Sequence, residues 1–267
     1  MQDFKHKLDV LTTSFKEMLW PTRCVGCDDF GALLCPACRA ELPYIDPASA
    51  CERCGAPWGW LTCTECTDAH PPDDAPDPRP SRFSFERARA ACAYDGVARK
   101  LVTAYKDGGE RRCARLLASL LLQAATGRVP ARAANCLPTC DDARDDWTAW
   151  ADAVVAVPSR PEAIRARGFD HLHDTAALFA RYAQLPLLEA LALGRHTLDQ
   201  RALGQRQRAG NLAGSFALAP QARVRGMRIL LVDDVLTTGA TTSAAADALL
   251  AGGACAVRVV VVARVVK

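Results

Sequence analysis

Short apolar runs and helical patterns alternate along the C-terminal part of the chain. The clearest run is Ile-Leu-Leu-Val at 229–232, and two acids, Asp233 and Asp234, follow it. An Ala-rich stretch at 243–250 is typical of a helix, and it leads to a second apolar run at 256–262. Continuous apolar runs are typical of strands buried on both faces of a parallel sheet. We therefore predict a strand–loop–helix–strand unit.

The preceding residues repeat this alternation. Further strands are predicted at 88–94 and 153–157, and further helices at 97–106, 113–124 and 170–183. Because strands alternate with helices, the fold class expected for this part of the chain is α/β with a parallel sheet. Apolar side chains at helical spacing also predict an amphipathic helix over residues 2–19.

The loop between the two acids and the Ala-rich helix carries hydroxyl groups and a glycine. Residues 237–242 read Thr-Thr-Gly-Ala-Thr-Thr. A helix N-terminus offers unpaired N–H groups and a positive dipole end, and Gly239 lets the backbone approach an anion closely. A monophosphate suits such a loop. Because Asp233 and Asp234 can accept hydrogen bonds from a vicinal diol, the pattern predicts a site for a ribose 5-phosphate.

Two other phosphate motifs fit less well. A P-loop is disfavoured because no lysine follows the glycine, and a dinucleotide fingerprint is disfavoured because G-x-G-x-x-G is absent. A third alternative stays open, in which the acids merely cap a helix.

A second polar loop follows the predicted strand at 153–157. It begins with Ser159 and Arg160, and Arg165 and Arg167 come soon after. The carboxyl ends of neighbouring parallel strands form the binding crevice of an open sheet. We therefore expect this loop to face the 237–242 loop across one ligand, with guanidinium groups suited to a pyrophosphate. The alternative is a solvated basic turn.

Four C-x-x-C pairs lie near the N-terminus. The pairs are Cys24 with Cys27, Cys35 with Cys38, Cys51 with Cys54, and Cys63 with Cys66. Two such knuckles complete a closed site of four thiolates, so eight cysteines predict two structural zinc ions. Redox pairs are the less favoured alternative, since four pairs lie in one short segment. Spacing does not decide between sequential and interleaved pairing, and we favour the sequential arrangement because the loops within each site are short.

Composition narrows the setting without naming a function. The chain has 267 residues, a net charge of +3 and 13 cysteines. The small charge alone implies no nucleic-acid partner. Charged residues interrupt the N-terminal apolar stretches, so no secretory signal is expected and the cytoplasm is predicted, where cysteines serve as metal ligands rather than disulfides. The absence of a membrane-spanning apolar run leaves only peripheral attachment at the inner face of the membrane as an alternative.

The remaining segments read as connections and surface. Residues 67–82, rich in proline and aspartate, predict a linker. Residues 126–150 are interpreted as a surface insertion, with Cys136 and Cys140 in a structural role. His171 and His173 are interpreted as ordinary surface histidines. The segment 194–216 predicts an exposed arm that closes over an anionic substrate or is simply a solvated loop. Its arginines are Arg195, Arg201, Arg206 and Arg208.

Taken together, these motifs resemble the ComF family, competence-protein-like phosphoribosyltransferases with an N-terminal double zinc ribbon. Besides the cysteine pairs, the matching motifs are L-W-P-T-R-C-V-G-C at 19–27, Y-K-D-G-G at 105–109, V-P-S-R at 157–160, R-x-R-G-F at 165–169, R-H-T-x-x-Q-x-x-L at 195–203, R-A-G-N at 208–211 and V-D-D-V-L-T-T-G-A-T at 232–241. The chain departs from the family at Asp170 and His171, where the pattern usually reads Asn-Gln.

The resemblance implies a type I phosphoribosyltransferase-like domain at 83–267. It would follow an N-terminal helix at 1–20, a double zinc ribbon at 21–68 and a linker at 69–82. It also implies a site for phosphoribosyl pyrophosphate (PRPP) with magnesium. The residues that the motif places in this site are Asp233, Asp234, Thr237, Thr238, Gly239, Ala240, Thr241, Ser159 and Arg160, and flexible-loop candidates are Arg195, Arg206 and Arg208.

Two functions follow from this resemblance. The first is a PRPP-binding protein with a role in DNA uptake and natural competence, whose partners include single-stranded DNA and competence-machinery proteins. The second is an active transferase with an unidentified nucleobase-like acceptor. An aspartate usually stands at the position of Thr237 in 6-oxopurine enzymes, so that substrate class is disfavoured, and no acceptor base is evident. Phe169, Trp58 and Trp60 are the candidate stacking residues for single-stranded DNA.

Overall fold

The computed structural model describes residues 21–58, 63, 66, 83–128, 146–194 and 214–266. Several predicted features lie outside the described residues: the helix at 2–19, the linker at 67–82, the greater part of the insertion at 129–145 and the arm at 195–213. The fold that follows is that of the described residues.

A four-stranded parallel sheet forms the centre of the molecule, as the apolar runs predicted. Its strands are β1 (Arg87–Ala93), β2 (Ala153–Ala156), β5 (Arg228–Leu236) and β6 (Ala256–Arg264), and their order across the sheet is β1–β6–β5–β2. Consecutive side chains of a strand point to opposite faces of a sheet. Because four consecutive residues of β5, 229–232, are all fully buried, both faces of the sheet are covered.

Helices cover the sheet in two groups. In chain order they are α1 (Pro36–Ala40), α2 (Gly96–Lys106), α3 (Ala114–Thr126), α4 (Trp147–Trp150), α5 (Pro161–Arg167), α6 (His171–Ala183) and α7 (Ala240–Ala251). Helices α3 and α6 pack against each other and against the sheet. Helix α7 packs on β5 and β6 together with a small antiparallel hairpin, β3 (Leu191–Leu193) and β4 (Phe216–Leu218). The strands and helices predicted within the described residues are therefore confirmed, with shifted ends.

The cysteine-rich module covers the edge strand β1. The N–H of Ile45 donates to the carbonyl of Ala91 at 2.9 Å, and the N–H of Ala93 donates to the carbonyl of Pro43 at 2.8 Å. Further along, the N–H of Ala88 donates to the carbonyl of Arg53 at 3.0 Å. An uncovered edge strand presents unpaired backbone groups that recruit other chains. The module therefore completes the sheet and shares one core with it.

The end of the predicted surface insertion is buried, which corrects that part of the interpretation. Trp147 is fully buried at the start of α4. The guanidinium groups of Arg89 and Arg258 lie over its ring at 4.4 and 5.2 Å from the centroid. A large aromatic ring between two arginines gains both apolar burial and cation–π attraction, which keeps this part of the chain in the core.

None of the helices in the described part of the chain combines the length and the apolar character needed to cross a membrane.

Candidate phosphate and metal sites

The loop between β5 and α7 presents hydroxyl and N–H groups at the carboxyl end of the sheet. Gly239 has a φ of +77° and is the N-cap residue of α7, which starts at Ala240, three residues before the predicted start. A side chain on Gly239 would collide with the ring of Phe83, so only glycine fits. Thr237 and Thr238 are exposed in front of the helix.

The other two threonines of the loop differ from each other. Thr241 is exposed in the first turn of α7, whereas Thr242 is buried and its hydroxyl donates to the carbonyl of Gly239 at 3.0 Å. Thr242 therefore holds the loop in shape, while Thr237, Thr238 and Thr241 are exposed at the start of a 12-residue helix. The hydroxyl of Thr238 accepts the N–H of Ala240 at 3.4 Å.

The two acids lie inside β5 rather than at its end, because the strand continues to Leu236. Oδ1 of Asp233 accepts the N–H of Asp234 at 2.9 Å. Oδ2 of Asp234 accepts Nζ of Lys106 at 2.6 Å and lies 3.2 Å from Nε2 of His171. Lys106 belongs to the Y-K-D-G-G motif, but the sequence pattern indicated no site for it.

This asymmetry separates the pKa values of the two carboxyl groups. Burial, and then the charge of Asp234, raise the pKa of Asp233 well above its ordinary value. Burial also acts to raise the pKa of Asp234, but the hydrogen bond from His171 and the charge of Lys106 outweigh it, so this pKa lies below the ordinary range. At neutral pH the pair therefore holds one firmly ionised carboxylate beside a carboxyl group that ionises reluctantly.

His171 is a buried part of this site, and its interpretation as a surface histidine is wrong. Its exposed fraction is 5%. Nδ1 lies 3.2 Å from an N–H nitrogen of Arg167, and Arg167 can only donate. Nδ1 must therefore accept, which leaves the proton on Nε2 for Asp234. The hydroxyl of Tyr105 donates to the carbonyl of His171 at 2.9 Å and fixes the start of α6.

The histidine two positions later lies on the surface, as interpreted. His173 is partly exposed, and its Nε2 lies 2.8 Å from Oε1 of Glu189. Since it sits on a different side of the same helical turn, it takes no part in the contacts with Asp234 described above.

The loop after β2 lies beside the same edge of the sheet, because β2 neighbours β5. The hydroxyl of Ser159 donates to Oδ1 of Asp170 at 2.8 Å, and Arg160 is the exposed N-cap residue of α5. A cleft next to Ser159 is lined by Asp170, His173 and Glu189 among others. Two carboxylates in this cleft attract N–H donors or a cation more than a bare polyphosphate.

The three arginines of this region separate in space. Arg160 is exposed, and Arg165 lies on the surface 3.7 Å from Glu162. Arg167 points inwards to His171 and lies 4.0 Å from Asp107. The predicted basic cluster is therefore not a single patch. The flexible-loop candidates Arg195, Arg206 and Arg208 lie outside the described residues.

The eight cysteines of the C-x-x-C pairs gather into two tetrads in sequential order. Within each tetrad the Sγ atoms all lie within 4.8 Å of one another. The first tetrad, tetrad 1, is Cys24, Cys27, Cys35 and Cys38, and the second, tetrad 2, is Cys51, Cys54, Cys63 and Cys66.

The geometry of the tetrads suits tetrahedral zinc. The Sγ atoms of Cys27 and Cys35 are 3.7 Å apart, and those of Cys54 and Cys63 are 3.5 Å apart. Zinc–sulfur bonds of about 2.3 Å in a tetrahedron place sulfurs about 3.8 Å apart. In tetrad 1, Sγ of Cys24 also accepts the N–H groups of Gly26 and Cys35 at 3.4 and 3.3 Å, which favours the thiolate form. The described residues thus fit structural zinc.

Comparison with known families agrees with both halves of the structure. The phosphoribosyl transferase domain family matches residues 190–266, and the double zinc ribbon domain family matches residues 15–69. The parallel sheet and the acid–threonine loop thus belong to a phosphoribosyltransferase-type domain, preceded by a zinc ribbon module. This combination confirms the resemblance to the ComF family, and structural zinc is supported by the ribbon match and by the two tetrads.

Curated relatives carry one shared name. "DNA utilization protein YhgH" of Salmonella typhi is 29% identical over 214 residues, which cover 79% of this chain and 82% of that protein. The protein of the same name from Escherichia coli K12 is 35% identical over 109 residues, which cover 40% of this chain. The matched part spans only 47% of the Escherichia coli protein, about half of its length.

Two solved structures overlap with part of the chain. An allosteric regulatory enzyme of purine biosynthesis is 22% identical with a TM-score of 0.30, over 42% of this chain and 22% of its own. The glutamine PRPP amidotransferase of B. subtilis is 20% identical with a TM-score of 0.34, over 55% of this chain and 25% of its own. The fold assignment rests on the sheet and on the family match rather than on these overlaps.

Proposed function

We propose that this protein binds PRPP at the carboxyl end of the sheet, as part of a role in DNA uptake. The observation that carries the proposal is the pairing of an open, glycine-capped helix N-terminus with two carboxyl groups on the strand that leads into it. The 5-phosphate would occupy the loop formed by Thr237, Thr238, Gly239, Ala240 and Thr241. The exposed hydroxyls and helix N–H groups described above support this placement.

The ribose hydroxyls would lie on Asp233 and Asp234. A carboxyl group with a raised pKa next to an ionised carboxylate suits a ligand that brings its own cation, since a cation favours ionisation of Asp233. Magnesium, which prefers oxygen ligands and substrate phosphates, would supply that charge. The pyrophosphate would extend towards Ser159 and Arg160, where magnesium would also offset the carboxylate of Asp170.

The DNA part of the proposal comes from the names of the relatives and from the surface of the zinc module. Trp58 is 84% exposed and Phe30 is 62% exposed, with the guanidinium of Arg23 over the Phe30 ring at 4.1 Å. Exposed aromatic rings with arginines are suited to stacking on unpaired bases. Phe169 is not such a platform, because it is buried against Tyr105. Trp60 lies outside the described residues.

The PRPP site is tested by calorimetric titration of the zinc-loaded protein with PRPP, with and without magnesium. We expect binding that requires magnesium and that ribose 5-phosphate competes away. Thr238→Val removes one exposed hydroxyl, and a hydrogen bond to a charged group contributes about 1.5–3 kcal/mol, so the affinity should fall about tenfold or more. Ser119→Ala, which removes an exposed hydroxyl on α3, is the matched control. Equal affinity in both variants would reject the loop as the phosphate site.

DNA binding is tested separately with single-stranded DNA across a range of salt concentrations. We expect affinity to fall with salt, because counterions are released on binding. Trp58→Ala should weaken binding by about 1–3 kcal/mol, the contribution of one stacked base, and Thr238→Val should leave it unchanged. A loss in Thr238→Val with no loss in Trp58→Ala would contradict a DNA surface on the zinc module.

An active transferase is the second candidate, and the cleft beside Ser159 favours it. His173 and Glu189 form an imidazole–carboxylate pair there, the arrangement of an oriented general base. We would incubate the protein with PRPP, magnesium and a panel of nucleobases and measure pyrophosphate release. Base-dependent release that is lost in His173→Gln would favour the transferase, and no release with any base would leave PRPP binding as the function.

A further inference from the structure

One buried side chain joins tetrad 2 to the start of the loop at 237–242, which we call the phosphate loop. Arg264 is the last residue of β6 and only 2% of it is exposed. Its NH1 donates to the carbonyls of Leu236, Thr237 and Val265, and its NH2 lies 4.0 Å from Sγ of Cys54. Leu236 and Thr237 come directly before Thr238 and Gly239.

The chemistry of arginine suits this bridge. A guanidinium is planar, always charged and carries five donors in a fixed fork, so it holds two groups at a set distance and angle. Four thiolates around one Zn²⁺ leave a net charge of −2, and a buried cation beside them offsets that charge. Groups behind metal ligands orient the ligands and are oriented by them. The position of the Arg264 guanidinium therefore depends on where the metal site holds Sγ of Cys54.

A second contact supports the loop from the segment that precedes β1. The ring of Phe83 lies against Gly239, and the N–H of Ser84 donates to the hydroxyl of Ser243 at 3.0 Å. The described contacts of tetrad 1 lead to α2 rather than to the loop at 237–242. Lys100 on α2 donates to the carbonyl of Gly26 at 2.6 Å, and a side chain on Gly26 would meet Cys38 and Val97.

We propose that Arg264 is a positioning residue through which metal in tetrad 2, and not in tetrad 1, sets the geometry of the phosphate loop. That PRPP is the ligand of this loop rests on the proposed function, whereas the contact between Arg264 and the loop does not. When tetrad 2 loses its metal, Cys54 is no longer held in place and the guanidinium loses a fixed neighbour. The carbonyls of Leu236 and Thr237 then lose their fixed donor, and the loop loosens.

The test compares one variant of each tetrad in the full-length protein. Cys27→Ser and Cys63→Ser each remove one of the less buried ligands, and Arg264→Lys keeps the charge without the fork. Metal analysis should give one zinc fewer for each cysteine variant and no loss for Arg264→Lys. Backbone hydrogen exchange is then measured at 236–243, with 229–232 in the same strand as a reference for global unfolding.

We expect exchange at 236–243 to rise about tenfold or more in Cys63→Ser and Arg264→Lys, and to stay unchanged in Cys27→Ser. The reference at 229–232 should stay protected, whereas a merely structural role of Arg264 would raise exchange in both segments together. Equal loop exchange in the two cysteine variants, or an unchanged loop in Arg264→Lys, would overturn the proposal. If Cys63→Ser does not fold, Arg264→Lys with its full zinc content decides.

PRPP affinity separates this proposal from the function on which its ligand rests. The affinity should fall about tenfold in Arg264→Lys and stay unchanged in Cys27→Ser. If the wild-type protein binds no PRPP, the proposed function fails, while the contrast in loop exchange still supports or rejects the link. Binding by the wild type with no change in loop exchange or affinity in Arg264→Lys rejects the link alone.

Discussion

Both ends of the sheet carry charged side chains, but the groups that balance these charges differ. At the amino end, arginines lie against tryptophan rings and carboxylates: Arg258 lies 4.1 Å from the Trp150 ring centroid and 3.4 Å from Glu86. At the carboxyl end, Lys106 and His171 both contact Asp234, whereas Asp233 accepts a backbone N–H and burial raises its pKa. In a structural cluster, other groups of the protein compensate each charge. In a binding site, some charge stays uncompensated until the ligand binds.

Arg89 is a buried arginine at the amino end, next to Arg87 and Arg258. Burial together with the charges of Arg87 and Arg258 lowers its pKa to about 10. Arg89 is still charged at neutral pH, because that pKa lies well above 7. Its guanidinium stacks on Trp147 and donates to the carbonyl of Ala125 at 3.3 Å. Protein groups therefore partner these neighbouring arginines, and removal of the ring between them is the most direct way to destabilise this end.

Trp147→Ala should have the largest effect on stability. Truncation of a fully buried tryptophan costs about 3–5 kcal/mol, and here it also removes the ring from Arg89. Urea unfolding followed by circular dichroism measures the loss. Trp150→Ala, at a half-buried position, is the matched control and should lose less. Equal and small losses in both variants would show that the arginines need no aromatic partner.

Asp234→Asn should have the next largest effect, because it removes the charge that pairs with Lys106. The amide keeps the shape, but the ammonium group then faces a neutral oxygen, which costs about 1.5–3 kcal/mol. The depressed pKa means that Asp234 contributes stability above its unfolded pKa and loses it only as pH falls through the folded value. The titration of Asp234 itself therefore adds no pH dependence between pH 6 and 8. A loss that changes across this range reports Asp233, whose pKa falls when the charge of Asp234 is removed.

PRPP affinity sharpens this prediction. The same substitution should weaken binding about tenfold or more, since the ribose loses a charged acceptor. A variant that keeps full stability and full affinity would show that Asp234 is neither balanced by Lys106 nor used by the ligand. Lys106→Met is the reciprocal test, since it leaves the carboxylate of Asp234 with His171 and the N–H of Val235 as its described partners.

Asp233→Asn should be stabilising, by about 1 kcal/mol, and should weaken PRPP binding at the same time. The amide oxygen still accepts the N–H of Asp234, and no buried charge has to form. Because its folded pKa is raised, the stability that Asp233 contributes is complete below its unfolded pKa and is lost as pH rises through the folded value. The advantage of the variant should therefore grow from pH 6 to 8.5.

Magnesium provides the control for Asp233→Asn. Thermal melting without added metal should show the gain in stability. Magnesium should stabilise the wild type more than the variant, since a bound cation compensates the charge of the Asp233 carboxylate. A variant that is less stable than the wild type at pH 8.5 would show that Asp233 is already balanced within the protein.

The sequence predicted what depends on local pattern. The apolar run at 229–232 predicted a buried parallel strand because all its side chains are apolar, and the short loops between the knuckles favoured sequential tetrads. These features are confirmed because each depends on residues close together along the chain.

What the sequence missed depends on contacts between distant residues. The helical period placed Leu172 and Phe179 on the buried face of α6, and it placed His171 outside that face. His171 is nevertheless buried, because the first turn of α6 projects over the end of β5 and meets Asp234, 63 positions later. Strand β5 continues past its two acids because Val235 and Leu236 pair with β6. Lys106 on α2 supplies Asp234 with a partner that no local pattern indicates.

Glu86→Gln should have the smallest effect and completes the comparison, since it makes the same change from acid to amide at the amino end. Glu86 is half exposed and lies 3.4 Å from the guanidinium of Arg258, which also stacks on Trp150. Exposed ion pairs contribute about 0.2–1 kcal/mol, so unfolding in urea should show a loss within that range. PRPP affinity should not change, and the loss should shrink as salt rises. A loss as large as that of Asp234→Asn, or any loss of PRPP affinity, would mean that the two ends of the sheet are coupled and that the amino end is more than a balanced structural cluster.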